Sequence, residues 1–220
     1  MRDKYQNTGF NKILNKVRAE TVLKYVQGKK CLEVGCGEGQ ITKYLARKFD
    51  KVKAVDIDET LLSYVGEPKN VELMCVDIRD VEPESRYDTI VCTNVLEHVD
   101  NPIELMEVMS LWGHKNSVYI FSTPNAHSIN RIIGTDIGML THEEQLGKHD
   151  IDAGHKRIYN IKTLHEHVEK AGFKIITSGS TVYKPLPNNI MAKLPNSIIK
   201  KCLHMPVKNY GAEIYIIAKK

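Results

Sequence analysis

The chain has 220 residues, of which 42% are hydrophobic and 26% charged, proportions ordinary for one folded globular domain. Its net charge of +4 is scattered, with only short basic runs such as Lys200-Lys201 and Lys219-Lys220, so no nucleic-acid partner is expected. The longest apolar runs, 118–121 and 214–218, are far too short to cross a bilayer. The first residues carry no apolar signal region, and the five cysteines include no C-x-x-C pair and read as buried reduced thiols, so a cytoplasmic location is expected.

Residues 11–27 read as an amphipathic helix with Ile13, Leu14, Val17, Val22 and Val26 turned to a core. From residue 31, short β-branched runs at 31–35, 52–57, 71–76, 89–93 and 118–122 read as buried strands. Amphipathic stretches at 41–49, 59–65 and 102–112 read as the helices between them. Strand and helix alternating in this way imply right-handed crossovers and a mostly parallel sheet, hence an α/β fold in a single domain spanning 1–220. A further helix is expected over 163–171, capped by Asn160 and closed by Gly172, and two last strands at 173–178 and 213–218. Two long connections, 124–160 and 183–210, break the rhythm and are expected to form a small cap over an acceptor. His165 and His167 lie off the Leu164–Val168–Ala171 face of the 163–171 helix and are expected to face solvent.

The strongest chemical signal is the run from Cys31 to Gln40, in which a strand leads straight into Gly35, Gly37 and Gly39 and a helix follows. Glycines there let the backbone turn tightly and approach a ligand. Asp56 ends the second strand, where an acid is placed to accept hydrogen bonds from both hydroxyls of a ribose. Glu33 and Glu38 flank the loop and would oppose the pyrophosphate of a dinucleotide, but they suit a ligand whose tail carries an ammonium and a sulfonium. A tight turn with no ligand is the plain alternative for the glycines, as a helix cap is for Asp77 and a surface cap or ion pair is for Glu97.

The segment with Glu33, Gly35, Cys36, Gly37 and Gly39 resembles the first signature motif of class I S-adenosylmethionine-dependent methyltransferases. Asp56 and Ile57 resemble their ribose-binding segment, Asp77 and Ile78 the adenine-binding one, and Asn94, Val95 and His98 the fourth-strand motif beside the methionine moiety. The resemblance implies a Rossmann-like, doubly wound, seven-stranded sheet whose last strand is antiparallel. It also implies S-adenosylmethionine as cofactor, S-adenosylhomocysteine as product, and a role for Arg18 on the cofactor carboxylate. Leu96-Glu97-His98-Val99, Ser122-Thr-Pro-Asn125 and Gly154-His155-Lys156-Arg157 further resemble the ubiquinone-biosynthesis-like O-methyltransferases and a group of bacterial sugar, capsule and natural-product enzymes. That likeness implies an oxygen acceptor.

A neutral alcohol must lose a proton as it is methylated, and an imidazole suits that task. His155 is the first candidate base, followed by His127 and His149. Lys156, Arg157, Tyr159 and Lys184 are candidates to clamp the acceptor. An anionic acceptor (phosphate, phosphonate or carboxylate) would need these cations and no base, and a nitrogen acceptor stays open. So do a dinucleotide-dependent oxidoreductase, which Glu33 and Glu38 disfavour, and a cofactor-binding partner protein without turnover. His142, His149 and His155 with Asp150 and Asp152 match no compact ligand spacing, so no metal is expected. The acceptor is expected to be a small molecule, and the protein a monomer or homodimer with no membrane partner.

Overall fold

The structure, a computed structural model, describes residues 9–66, 68–206 and 208–220. In chain order, helix α1 (Gly9–Leu23) leads to β1 (Lys30–Val34), α2 (Thr42–Leu45), β2 (Lys51–Asp56), α3 (Glu59–Leu62) and β3 (Val71–Cys75). A 3-10 turn (Ile78–Asp80) precedes β4 (Tyr87–Thr93), α4 (Pro102–Leu111) and β5 (Gly113–Pro124). Helices α5 (Ile129–Asp136), α6 (Lys148–Asp152) and α7 (Ile161–Lys170) follow, then β6 (Lys174–Thr181), α8 (Asn188–Met191), α9 (Asn196–Leu203) and β7 (Glu213–Lys219).

The strands form one sheet in the order β3-β2-β1-β4-β5-β7-β6. β1 to β5 pair in parallel, and β7 inserts antiparallel between β5 and β6, as expected. The chain winds outward from β1 to β3, then returns to start the other half at β4. The crevice between the ends of β1 and β4 is thus the point where strand order reverses, the usual ligand position in such sheets.

Alternation along the strands divides the core into two layers. Leu32, Ile90, Cys92, Tyr119, Phe121 and Ile216 face α4 and α7. Cys31, Val52, Ala54, Val91 and Ile120 face α1, α2 and α3. Both faces being covered explains why the strands read as continuous apolar runs. A third cluster pairs Phe10, Ile13, Leu14 and Val17 of α1 with Met191, Ile199 and Leu203. The apolar side of α1 is therefore shared: Ala19 and Val22 reach the sheet while its first half holds α8 and α9.

Several boundaries differ from the sequence reading for local reasons. The helix expected over 41–49 is regular only through α2, and 46–49 continue as turns with Lys48 and Phe49 N–H donating to the Leu45 carbonyl. β5 begins five residues earlier than expected because the polar run His114-Lys115-Asn116 is part of the strand. α1 stops at Leu23, short of Val26. Of the thiols, Cys31, Cys36 and Cys92 are buried, but Cys75 is exposed and Cys202 half-buried. His165 and His167 are half-buried rather than solvent-facing: His165 Nε2 meets Ser178 Oγ at 2.9 Å and His167 Nδ1 meets the Tyr159 hydroxyl at 3.0 Å.

The two long connections take different positions. Residues 124–160 carry α5 and α6 and return to the end of β5, where Ala126 N–H donates to the Tyr159 carbonyl at 2.7 Å. Residues 183–210 carry α8 and α9, whose apolar sides rest on α1. Asn125 joins the two connections by donating to the carbonyls of Asn209 and Gly211.

Candidate active site at the strand-order switch

A cavity of about 490 Å³ opens where β1, β2 and β4 end. Its wall is made by residues that the glycine loop and the strand ends supply: Glu33 to Gly37, Asp56 to Asp58, Val76 to Arg79, Thr93 to Val95, and His98, with Asn15 and Arg18 from α1. All thirteen residues expected at the cofactor except Gly39 stand on this wall. Gly39 lies one turn further on, where its N–H donates to the Cys36 carbonyl at 2.9 Å.

Gly35 shows why the loop is glycine-rich. Its φ is +75°, and a Cβ there would stand 2.1 Å from Val95 Cγ2. Gly35→Ala should therefore lower the melting temperature by about 5 °C or more. The left-handed backbone costs about 1–2 kcal/mol, displacing Val95 costs about 1–3 kcal/mol, and each kcal/mol is worth about 2–4 °C in a chain of this size. An unchanged thermal transition would show that the loop relaxes freely.

The electrostatics of the cavity separate two kinds of ligand. Glu33 is 1% exposed, its Oε2 has no hydrogen-bond partner, and burial pushes its carboxyl up to about 8. Asn94 sits in the left-handed region at φ 55°, a conformation asparagine tolerates, and its Oδ1 is likewise unpartnered. Two oxygens without hydrogen-bond partners beside one wall suit the donors of an ammonium group. The residues present thus fit S-adenosylmethionine better than a dinucleotide. Asp56 accepts from Gly37 N–H at 2.7 Å and from Asp58 N–H at 3.0 Å, which fixes its carboxylate at the cavity floor. Asp77 caps the 3-10 turn through Arg79 N–H and pairs with the Arg79 side chain, whose hydrogen bonds hold Asp77 below the usual carboxylate range. Ile57 is 74% exposed and offers an apolar face to the cavity, and Ile78, packed in the core, backs the same wall. Arg18 reaches the cavity but is shared with Glu213 and Asn15.

At the His98 end a second polar group assembles. Glu97 is 1% exposed, not a surface cap; burial pushes it up to about 7, and its Oε2 accepts from Thr123 Oγ1 at 3.2 Å. Its Oε1 has no hydrogen-bond partner and lies 4.0 Å from His98 Nε2. The rings of His98 and His155 meet edge to face at 4.8 Å. His155 Nδ1 is 3.5 Å from Asp150 Oδ1, and Arg131 Nη1 binds the other Asp150 oxygen at 2.9 Å. Burial alone would raise Asp150, but His155, Arg131 and the Gly147 N–H outweigh it and hold it far below the usual range.

The remaining candidates stand apart. His127 is 51% exposed and 3.6 Å from Glu144, and His149 is exposed on α6. Lys156 pairs with Asp100, and the Arg157 guanidinium is turned to the carbonyls of Leu96, Val99 and Asp100. Tyr159 is buried in the core, and Lys184 donates to Asn188. Sequence reasoning missed Arg131 and named Asp150 only within a set it set aside as a metal site; the two are 19 residues apart and share no local pattern. The only signal for Glu97 was its place in the Leu96-Glu97-His98-Val99 run.

Comparison with known proteins gives the family and agrees with the fold. The family model described as a methyltransferase domain matches residues 5–178. The ubiquinone biosynthesis O-methyltransferase of Pseudoalteromonas translucida is 29% identical over 169 residues, covering 72% of this chain and 69% of that protein. A possible histamine N-methyltransferase from Thermotoga maritima shares the fold with a TM-score of 0.70 at 17% identity, over 96% of this chain and 91% of the other. The magnesium protoporphyrin IX methyltransferase of Synechocystis, solved with S-adenosylhomocysteine bound, has a TM-score of 0.59 at 14% identity, over 96% and 83%.

Proposed function

The chain belongs to the class I S-adenosylmethionine-dependent methyltransferases, and on that premise we propose that it methylates a hydroxyl oxygen of a small-molecule acceptor. The observation that carries the choice of oxygen is the state of the charges around the site. The cations that would bind an anionic acceptor, Lys156 and Arg157, are already engaged with Asp100 and with backbone carbonyls. The imidazoles of His98 and His155 are instead gathered beside a buried carboxylate at the cavity's end. The likeness to an O-methyltransferase of Pseudoalteromonas translucida supports the same reading.

The bound cofactor supplies a methyl group on a positively charged sulfur. Asp56 would accept from the ribose hydroxyls, and Ile57, Ile78 and Asp77 would bound the adenine. Glu33, Asn94 and Arg18 would hold the amino-acid end, and Val95 packs against the glycine loop at Gly35. His98 walls the side from which the acceptor enters. The acceptor oxygen is held in line with the methyl carbon, and that positioning supplies most of the rate. Methyl transfer to that oxygen would leave the carbon–sulfur electron pair on sulfur, and His155 would take the hydroxyl proton.

The test is product analysis: acceptor panels of phenols, sugar hydroxyls, carboxylates and amines, with the methylated atom located by NMR. An O-methyl ether supports the proposal, and turnover restricted to amines or carboxylates overturns it. Cofactor titration adds a prediction about Glu33. Raised to about 8, it is mostly protonated at pH 7, and an ammonium beside Oε2 favours the carboxylate. Binding at pH 7 should therefore release close to one proton, fading as pH rises above 8. Calorimetry in buffers of different ionisation heat measures this directly, and equal heats in all of them would take Glu33 out of contact with the ligand.

A further inference from the structure

Arg18 stands between two spaces. On one side it borders the cofactor cavity together with Asn15. On the other it borders a space of about 20 Å³ between α1 and strands β5, β6 and β7, room for one water. Glu213, the first residue of β7, lies on that second wall and not on the cofactor wall. It is 4% exposed, and its Oε1 accepts from both Nε and Nη2 of Arg18, whereas Asn15 Oδ1 accepts from Nη1 at 3.1 Å. A guanidinium carries five N–H groups in a rigid plane. Glu213 thus occupies the Nε–Nη2 edge and leaves the Nη1–Nη2 fork, with an N–H to spare on each of those two nitrogens. Two such groups match the two oxygens of a carboxylate.

More than this ion pair registers α1 on the strands. The hydroxyls of Thr21 and Thr181 meet at 2.9 Å, and just past the helix those of Tyr25 and Tyr215 meet at 3.1 Å. Arg18, Thr21 and Tyr25 therefore form a polar seam against β6 and β7. The strand side of the seam is itself fixed. Ala212 N–H donates to the Val182 carbonyl at 2.8 Å, and Gly211 N–H donates to Ser180 Oγ at 3.1 Å. Val182 stands at φ 64°, which a β-branched residue adopts only where its surroundings impose it. The place of the Glu213 carboxylate is thus set by the neck of the 183–210 connection and not by Arg18 alone.

We propose that Glu213 is a positioning residue for cofactor recognition. It holds the Arg18 guanidinium side-on so that the free fork meets the ligand's carboxylate, and the site thereby selects ligands that carry the amino-acid tail over tail-less nucleosides. The inference rests on Arg18 standing at the amino-acid end and is independent of the acceptor. Glu213 and the ligand's carboxylate are both anions, and a competitor would occupy the fork. Glu213 occupies the other edge instead, so both carboxylates fit on one guanidinium. An arginine fixed beforehand also loses less side-chain freedom when the ligand arrives.

The experiment is calorimetric titration with S-adenosylhomocysteine and with methylthioadenosine, a nucleoside thioether that lacks the amino-acid tail. Glu213→Gln should bind the first about tenfold more weakly and the second within about twofold of the parent protein. Glu213→Asp keeps the charge but is one methylene short of Arg18, so it should show the same split with a smaller loss; it decides the matter if Glu213→Gln does not fold. Arg18→Ala should lose about 100-fold on S-adenosylhomocysteine alone, and adding Glu213→Gln to it should cost nothing more, because Glu213 acts through Arg18. A merely structural Glu213 would weaken both ligands alike, and a competing one would tighten S-adenosylhomocysteine. Either result overturns the proposal, as does parent-like affinity in Glu213→Gln. Parent-like affinity in Arg18→Ala removes Arg18 from the ligand and the positioning role with it. A selective loss in Arg18→Ala with none in Glu213→Gln removes Glu213 alone.

Discussion

Asp56→Ala should weaken binding of S-adenosylmethionine and S-adenosylhomocysteine by about 100-fold. The carboxylate has two tasks in the structure. Its oxygens accept from the N–H groups of Gly37 and Asp58, which fixes the glycine loop against β2. Each oxygen keeps a lone pair for a ribose hydroxyl. Hydrogen bonds to a charged group are worth about 1.5–3 kcal/mol each, so losing one already costs ten- to hundredfold, and the loosened Gly37 adds to it. Asp56→Asn keeps one acceptor oxygen and replaces the other with a donor, so its loss should be intermediate. Calorimetric titration with S-adenosylhomocysteine reads both variants, and a thermal scan confirms that they are folded. Equal affinity in Asp56→Ala and the parent protein would remove Asp56 from the ribose.

The cofactor half of the site was legible because its determinants are local. Glu33 to Gly39 is one strand, one turn and one helix start, Asp56 ends the next strand and Asp77 caps the turn after the third, so each residue's position follows from its own segment. The sheet followed in the same way: apolar runs buried on both faces announce parallel strands. The acceptor half was legible only in part, because it is built from distant pieces. Whether Glu97 is buried is decided by Thr123 on β5 and by the return of 124–160. Asp150 meets Arg131 across 19 residues. Nothing in the alternation of 183–210 says that Ile199 and Leu203 pack on α1 instead of over the cavity; this depends on Phe10, Ile13 and Leu14 already presenting a second apolar stripe. Polar residues inside regular elements misled the boundaries for a related reason. His114 to Asn116 belongs to β5 by backbone pairing near Tyr87↔Gly113, which side-chain polarity does not report.

His155→Ala should lower kcat by about 10²–10³ and leave S-adenosylhomocysteine affinity within about twofold. A positioned proton acceptor contributes about 10²–10⁴ to such a transfer, and the ring is absent from the cofactor wall. The loss should therefore fall on the chemical step, with the acceptor KM moving far less. Asp150→Asn tests whether the ring's orientation matters. It removes the negative charge 3.5 Å from His155 Nδ1 but keeps a polar side chain for Arg131, so it should cost about tenfold in kcat, less than removing the ring. The opposite ranking, with Asp150→Asn slower than His155→Ala, would make Asp150 the acting group. His127 and His149 provide the comparison: both are exposed and outside the cluster. A full rate in His155→Ala with a large loss in His127→Ala would move the proton acceptor to the 124–160 surface and detach it from Glu97. Steady-state kinetics on the three single variants, with the same acceptor and saturating cofactor, separates these outcomes.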